Sequence, residues 1–240
     1  MANQGLFSFP GWLLKGDILK KFFVLLVSLV LTTCSHNTAE KEIEIQGRYL
    51  TSRKPPFALT LPSEFELIHH ISLDYPKENS RTRTCLYIKK KEDRAEEILI
   101  VQIADRTNPE SEPITTPPLK PQTEKRMYLN GQEKKEKIEV NYLIQLIGWN
   151  PDAPSLQPIR EKGITIPSHW ALQGQILFVY QGEHAVSLRY SKDANAFGFK
   201  VSEAGSDWGK GSISGNEKKV YEIFQKTFLE IIGSIRIKSP

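Results

Sequence analysis

VYEIFQKTFLEIIGSIRIK, residues 220–238, changes its hydrophobic period once along its length. From Val220 to Ile232 the apolar residues recur at the spacing of one helical face. From Ser234 to Lys238 they alternate, as they do in a strand. An amphipathic helix cannot bury its apolar face alone, so it needs a sheet to pack on. The stretch therefore predicts a C-terminal helix that ends at Gly233, followed by a closing strand.

Most of the chain before this stretch alternates with period two, which predicts strands. Apolar residues lie on both faces of Ile98–Ile103, apart from Gln102, so we expect this strand at the centre of a sheet. The predicted strands are Phe57–Leu61, Phe65–Leu73, Thr84–Lys90, Ile98–Ala104, Ile138–Leu146, Ile176–Tyr180, Ala185–Tyr190 and Phe197–Val201. The third and fourth of these flank a charged turn, and the sixth and seventh enclose a short polar turn, so each of these two pairs predicts a hairpin. The expected fold class is α+β, an antiparallel β-sheet with a C-terminal amphipathic helix packed on it.

One long stretch, Asp105–Arg126, interrupts the pattern with five prolines and many polar residues. Proline lacks the backbone donor that a helix interior or a central strand requires. We predict an extended loop there, within one α+β domain that spans residues 43–240. Two smaller domains joined by this stretch are the alternative, although neither half alone has enough elements to close a core.

The N-terminal region has the layout of an export signal. Lys20 and Lys21 precede the apolar run Phe22–Leu31, which is shorter than the roughly 20 residues of a membrane span. The following Leu31-Thr32-Thr33-Cys34 resembles the lipobox of bacterial lipoproteins, although that family usually has glycine, alanine or serine where Thr33 stands. An ordinary or uncleaved signal and a buried apolar element are the alternatives.

The lipobox resemblance implies how the chain is processed and where it is held. Residues 1–33 would be a signal peptide, Cys34 would carry lipid, and residues 34–42 would form a polar tether. In that family an aspartate after the cysteine favours the inner membrane. Because Ser35 stands there, the resemblance implies the outer membrane, facing the periplasm, if the cell has one.

Charge and cysteine content narrow the possible partners. The formal net charge is +4, and basic and acidic residues alternate within charged stretches such as Lys89–Arg94. Nucleic-acid binding needs lysine and arginine gathered on one surface, so we expect no nucleic-acid partner. If Cys34 carries lipid, the second cysteine, Cys85, has no partner within the chain. We expect Cys85 to be a buried free thiol, because its neighbours are strand-like.

The two ends of the predicted domain resemble the PsbP-like family. The residues that carry this resemblance are Phe57–Leu61 followed by Pro62, and Phe224, Phe228, Leu229 and Ile232-Gly233-Ser234-Ile235. Domains of that family open with a phenylalanine-led strand and close with a helix, a small residue, serine and a strand. The resemblance implies an α+β fold and an assembly or accessory role.

A search for reactive groups predicts no metal ligand, cofactor or catalytic residue. His69 and His70 are neighbours on a predicted strand and would point to opposite faces. His169 and His184 lie in separate segments, without a ligand pair at zinc spacing. Gly211–Gly215 has Ile213 where a nucleophile elbow requires serine.

Tryptophans provide the remaining candidates for a site. Trp149 ends a strong strand and Trp208 lies among glycines, so either ring could contact a partner or close one end of the core. The sequence therefore favours a membrane-anchored, non-catalytic binding or assembly module of the bacterial cell envelope, with a protein partner there. An envelope hydrolase is the rival hypothesis. It would be favoured by a pocket that places His169 or His184 beside a serine or carboxylate.

Overall fold

The computed structural model describes residues 42–116, 118–121, 127–167, 170–197 and 215–238, which form two antiparallel sheets with two α-helices. The strands are β1 Ile43–Gln46, β2 Tyr49–Arg53, β3 Pro56–Thr60, β4 Glu66–Tyr75, β5 Ser80–Lys91, β6 Arg94–Arg106, β7 Met127–Lys135, β8 Ile138–Gly148, β9 Trp170–Tyr180, β10 His184–Asp193 and β11 Arg236–Ile237. The helices are α1 Gln157–Glu161 and α2 Gly215–Ser234. Short 3-10 helices lie at Pro76–Glu78, Pro154–Leu156 and Ala194–Phe197.

The larger sheet has seven strands in the order β4-β5-β6-β10-β9-β8-β7, and every neighbouring pair is antiparallel. The smaller sheet has the order β1-β2-β3-β11. The two predicted hairpins, β5–β6 and β9–β10, are confirmed, and their strands are longer than expected. The predicted central strand, β6, lies between β5 and β10 inside the larger sheet. The fold is mostly antiparallel β with a C-terminal helix, so the expected class is confirmed in this coarse form.

Helix α2 buries its apolar stripe in the main core, next to β3 and β9. Val220, Phe224 and Phe228 are at most 1% exposed, and the Phe224 ring stacks on Tyr190 with a centroid distance of 4.9 Å. The ring of Phe228 lies directly over Gly174 of β9, where an added Cβ would be 2.3 Å from it. Because glycine has no side chain, the helix can approach the sheet closely at this point.

Two irregular segments cover parts of the opposite face of the larger sheet. The segment from Trp149 to Ile166, which includes α1, packs apolar side chains on β5, β6 and the β8–β9 end. Leu119, in the proline-rich stretch, packs on Leu143 and Leu177. Strand β6 continues to Arg106, because Asp105 still pairs with His184 of β10. The extended loop therefore begins at Thr107, and not at Asp105 as predicted.

Strands β1, β2 and β7 were not predicted, because their alternation is carried mainly by polar and charged residues. Phe197 ends a 3-10 helix, and the rest of the strand predicted at Phe197–Val201 lies outside the described residues. The predicted signal peptide and Cys34 also lie outside them. No helix in the described part of the chain is long and apolar enough to span a membrane.

Candidate functional site

The structure describes one of the two tryptophans predicted to bind a partner. Trp149 is 7% exposed and belongs to the apolar cluster beneath α1, so a partner that used its ring would have to open that layer. Trp208, His169 and the lipidation candidate Cys34 lie outside the described residues, and their predicted roles stay predictions. Cys85 is buried and unbonded, as expected.

A row of polar side chains crosses the centre of the larger sheet, on the face opposite to α2. The strand register places these residues side by side on β5, β6, β10, β9 and β8. These residues form the polar band, which consists of Thr84, Gln102, Ser187, Arg189, Ser191, Gln173, Gln175 and Gln145. Such a band is unusual at a sheet centre, because each buried polar group must recover the hydrogen bonds that it loses with water.

On one side of the band, hydrogen bonds join three strands. The amide nitrogen of Gln102 donates to Oγ1 of Thr84 at 3.3 Å. Nη2 of Arg189 donates to Oε1 of Gln102 at 2.7 Å, and Arg189 takes part in further interactions. The orientation of the Gln102 amide is therefore set by a charged donor on its oxygen and a hydroxyl group at its nitrogen.

On the other side of the band, a second network centres on Gln173. Its carbonyl oxygen accepts from the amide of Gln175 at 2.6 Å and from that of Gln145 at 3.2 Å. Its own amide donates to Oγ of Ser191 at 3.3 Å. Mutual bonding of this kind holds neighbouring side chains in fixed orientations, as a preformed binding surface requires.

Exposure to solvent changes along the band. Gln145, Gln173 and Ser191 are buried, whereas Thr84, Gln102, Ser187, Arg189 and Gln175 are half-buried. Desolvation lowers the pKa of the Arg189 guanidinium to about 10, which still leaves it protonated at neutral pH. The half-buried part is therefore a hydrogen-bonding face that contains one desolvated guanidinium.

A second polar cluster lies on the α2 side, where the larger sheet meets the smaller one. The guanidinium of Arg83 is fully buried. Its Nη2 donates to Oδ1 of Asp105 at 2.8 Å and to the carbonyl oxygen of Lys54, while Nη1 lies 3.2 Å from Oε2 of Glu42. Nδ1 of His184 lies 2.7 Å from the same Asp105 oxygen. The cluster therefore connects the start of the small sheet to the large one.

His184 thus has the carboxylate neighbour that the hydrolase hypothesis asks for. A histidine–carboxylate pair supplies the acid–base half of such a site, and hydrolysis by covalent catalysis also needs a nucleophile within hydrogen-bond reach of the ring. Among the described residues, the His184 ring forms one hydrogen bond, and its partner is the carboxylate of Asp105. Asp105 also pairs with Arg83, so its charge is shared with a structural cation.

A cavity of about 420 Å³ opens at the far edge of the larger sheet, where β4 begins. Leu67, Ile68 and Ile164 give it apolar walls, and Lys90 and Lys162 lie at its rim. The ammonium group of Lys90 is paired with the carboxylate of Glu66 at 2.9 Å. The cavity contains none of the residues predicted from the sequence as site candidates.

The residues available for metal chemistry are few. Among the described residues, no group of three or more His, Cys, Asp or Glu side chains could hold a metal ion. His69 and His70 pair with Leu86 and Cys85 in successive register positions, so they point to opposite faces, as predicted.

Comparison of the chain with protein-family models, curated proteins and solved structures gives no match.

Sequence reasoning missed the polar band, although a trace of it is visible in the sequence. Gln173 and Gln175, and Ser187, Arg189 and Ser191, stand at alternate positions of otherwise apolar strands. Period two places such residues on one face of each strand. Their union into a band depends on the order of the strands, which brings β6, β10, β9 and β8 side by side.

Proposed function

We propose that this chain is a lipid-anchored protein of the bacterial cell envelope that acts as a non-catalytic binding module, with the polar band as its contact surface. The observation that carries the binding role is the position of Gln102, Gln175 and Arg189 on the half-buried centre of a rigid sheet. Polar side chains that are fixed by mutual hydrogen bonds on a firm scaffold can recognise a polar partner without reorganising.

The anchor half of the proposal rests on Leu31-Thr32-Thr33-Cys34. Replacement of Cys34 by alanine should abolish incorporation of labelled fatty acid and leave an uncleaved precursor, because the thiol is the acceptor of the lipid in proteins with this motif. The measurement is metabolic labelling followed by electrophoresis of the tagged protein. If the unaltered protein takes up no labelled lipid, the anchor proposal is wrong.

The binding half is tested by crosslinking in intact cells. A photoreactive amino acid replaces Ser187, at the half-buried centre of the band, in the tagged full-length chain. The matched control carries the same group at Ile223, which is 54% exposed on the outer side of α2. We expect an adduct from position 187 that position 223 does not give. Equal adduct patterns at the two positions would contradict a role for the polar band.

A hydrolase is the second candidate, and the pair of His184 with Asp105 is the observation that favours it. If His184 is the general base of a serine enzyme, the protein should react with a fluorophosphonate probe. Replacement of His184 by glutamine should then abolish that labelling while the protein stays folded. Absence of labelling in the unaltered protein would remove the reason for assigning a serine hydrolase to this pair.

A further inference from the structure

We infer that the outer face of the smaller sheet lies against the bilayer that holds the lipid, and that it contacts the headgroups of anionic phospholipids there. This inference rests on the anchor half of the proposed function and goes beyond it, because it assigns a surface of the folded domain to the membrane. It follows from the orientation of the smaller sheet, from its unpaired cations and from the short chain between the sheet and Cys34.

The smaller sheet has one buried face and one exposed face. The apolar side chains that point into the main core are Ile43, Leu50, Phe57, Leu59 and Ile237. Because side-chain direction alternates along a strand, the residues between them form the opposite face. The register aligns Thr51, Ala58 and Arg236 in one row of that face, and the next row contains Arg53 and Lys238. Both rows have exposed side chains, so solvent reaches this face.

The exposed face has an excess of positive charge. The basic residues of the smaller sheet and its turns are Arg48, Arg53, Lys54, Arg236 and Lys238, and all of them are exposed. The acidic residues are Glu42 and Glu44, and the carboxylate of Glu42 already pairs with Arg83. The five exposed cations and the neighbouring Tyr49 are called the basic face below.

The cations of the basic face are not neutralised within the protein. Among the described residues, none of the five forms an ion pair with a carboxylate. The larger sheet differs, because Lys89, Arg94, Arg106 and Lys192 each pair with a carboxylate. Unpaired cations gathered on one face attract an external anionic surface, and each Lys or Arg near an anionic bilayer adds to this attraction.

The position of the anchor keeps this face close to the membrane. Ile43, the first residue of β1, stands nine positions after Cys34. An extended chain spans at most about 3.3–3.6 Å per residue, so β1 lies within about 30 Å of the lipidated residue. The smaller sheet is thus the first part of the fold after the anchor. Because the tether holds the basic face at a high local concentration of headgroups, the bilayer is favoured over an acidic partner protein.

Tyr49 provides a second kind of contact on the same face. Its side chain is 49% exposed, and the guanidinium of Arg48 lies 5.4 Å from the centre of its ring. Tyrosine is enriched at the boundary between membrane and water, because its ring is apolar and its hydroxyl group is polar. The pair therefore combines a cation for the headgroups with a ring that suits the region beneath them.

The test uses the lipidated protein, reconstituted into phosphatidylcholine vesicles with or without about 30% phosphatidylglycerol. A fluorophore is attached at Thr51→Cys, on the basic face, or at Thr165→Cys, an exposed matched control in the segment that covers the opposite face of the larger sheet. The introduced thiol reacts selectively, because Cys85 is buried and Cys34 carries the lipid. Lipids with a quenching group on the headgroup report which position lies at the bilayer.

With phosphatidylglycerol present, quenching at position 51 should exceed that at position 165 by at least about threefold, and about 0.5 M NaCl should remove the difference by screening. The combined Arg53→Gln, Arg236→Gln and Lys238→Gln variant should lose about half of the quenching at position 51 or more. The matched control removes three exposed cations outside the smaller sheet, Lys91→Gln, Lys162→Gln and Lys219→Gln, and should change it by less than about a fifth.

Each contrary result has a defined meaning. Equal quenching at the two positions, quenching at position 51 that does not need phosphatidylglycerol, or full quenching in the folded variant without the three cations would overturn the inference. If a photoreactive group at position 51 captures a protein in intact cells and the lipid quenching is absent, the occupant is a protein and the inference is wrong. In these cases lipid labelling of Cys34 still supports the anchor. If the unaltered protein takes up no lipid, the anchor fails and this inference fails with it, whereas crosslinking from position 187 tests the polar band independently. Circular dichroism and thermal melting of every variant show that it is folded.

Discussion

The two faces of the seven-stranded sheet are built from neighbouring residues of the same strands, and they solve different problems. The row Cys85, Val101, Leu188 and Ile176 faces α2 and is almost completely apolar. One residue away on each strand, the row Thr84, Gln102, Ser187 and Leu177 faces the other way and is mostly polar. The first face stabilises the fold by burying apolar surface. The second face has, at the centre of the sheet, polar groups that contribute little net stability.

This difference separates a face that apolar burial explains from one that it does not explain. An antiparallel sheet commonly has one apolar face and one polar, solvated face, whereas a sheet buried on both faces carries aliphatic residues on both. The polar face keeps apolar packing at its two covered ends, under α1 and under Leu119, and leaves polar residues between them. The five predictions below test this contrast, from the largest expected effect to the smallest.

Arg83 is a fully buried charged residue on the face that packs against α2. Replacement by leucine should lower the free energy of unfolding by roughly 3–5 kcal/mol, because the carboxylate of Asp105 would stay buried without its guanidinium partner. Urea denaturation measures the effect. The control is Arg81→Leu, which breaks the exposed pair with Asp74 and should cost less than about 1 kcal/mol. Similar losses in the two variants would show that the buried pair has no special structural weight.

Phe228 tests the apolar core itself. Phe228→Ala and Phe224→Ala should each lower the free energy of unfolding by roughly 3–5 kcal/mol, because each ring is completely buried between α2 and the larger sheet. Leu229→Ala, on the exposed side of the same helix, should cost well under 1 kcal/mol beyond its small change in helix propensity. Equal losses at positions 228 and 229 would contradict the packing of α2.

Gly174 sharpens the same contact from the sheet side. Gly174→Ala should cost about 1–3 kcal/mol, because its Cβ would overlap the Phe228 ring. In a Phe228→Ala background the same change should cost much less, since the overlapping ring is gone. The double-mutant cycle measures this coupling by denaturation. Purely additive losses would mean that glycine is needed there for a reason other than the ring.

Alkaline pH should lower the free energy of unfolding, because the thiol of Cys85 is buried on the apolar face. Burial raises the pKa of its thiol to about 12, whereas an unfolded thiol ionises near about 8.5. The folded state thus holds the proton more tightly, so this contribution is complete below pH of about 8.5 and declines as pH rises toward 12. Between pH 8 and 10 we expect the free energy of unfolding to fall by about 2 kcal/mol, a loss that is absent in Cys85→Ala. Parallel pH profiles for the two proteins would contradict this.

The polar face should tolerate substitutions that the apolar face does not. Gln145, Gln173, Gln175 and Ser191 form one hydrogen-bonded network, and replacement of the three glutamines by leucine and of Ser191 by alanine removes its donors and acceptors together. We expect the free energy of unfolding to change by less than about 1 kcal/mol, because each network bond contributes little net stability. Loss of several kcal/mol in denaturation experiments would show that the polar band is a structural element and not a surface kept for binding.

The sequence foretold the elements whose periodicity is carried by apolar residues. Helix α2, the β5–β6 and β9–β10 hairpins and the central place of β6 follow from spacing alone, because burial imposes that spacing. Strands such as β1 and β7 were not predicted, since they lie at the edges of their sheets and carry polar or charged residues along much of their length. Their pairing depends on neighbours that are distant in the chain, which local pattern does not reveal.

The candidate site was beyond sequence reasoning for a related reason. Trp149 was predicted as a partner-binding residue because it is aromatic, yet its ring is buried under the segment that contains α1. Arg189 and Gln102 were not predicted as site residues, because they are 87 residues apart in the chain and come into contact only when β10 pairs with β6. The sequence by itself determined which residues each strand turns to one face, since side-chain direction alternates along a strand. Only the tertiary structure decided which strands are neighbours, and therefore which polar residues form one surface.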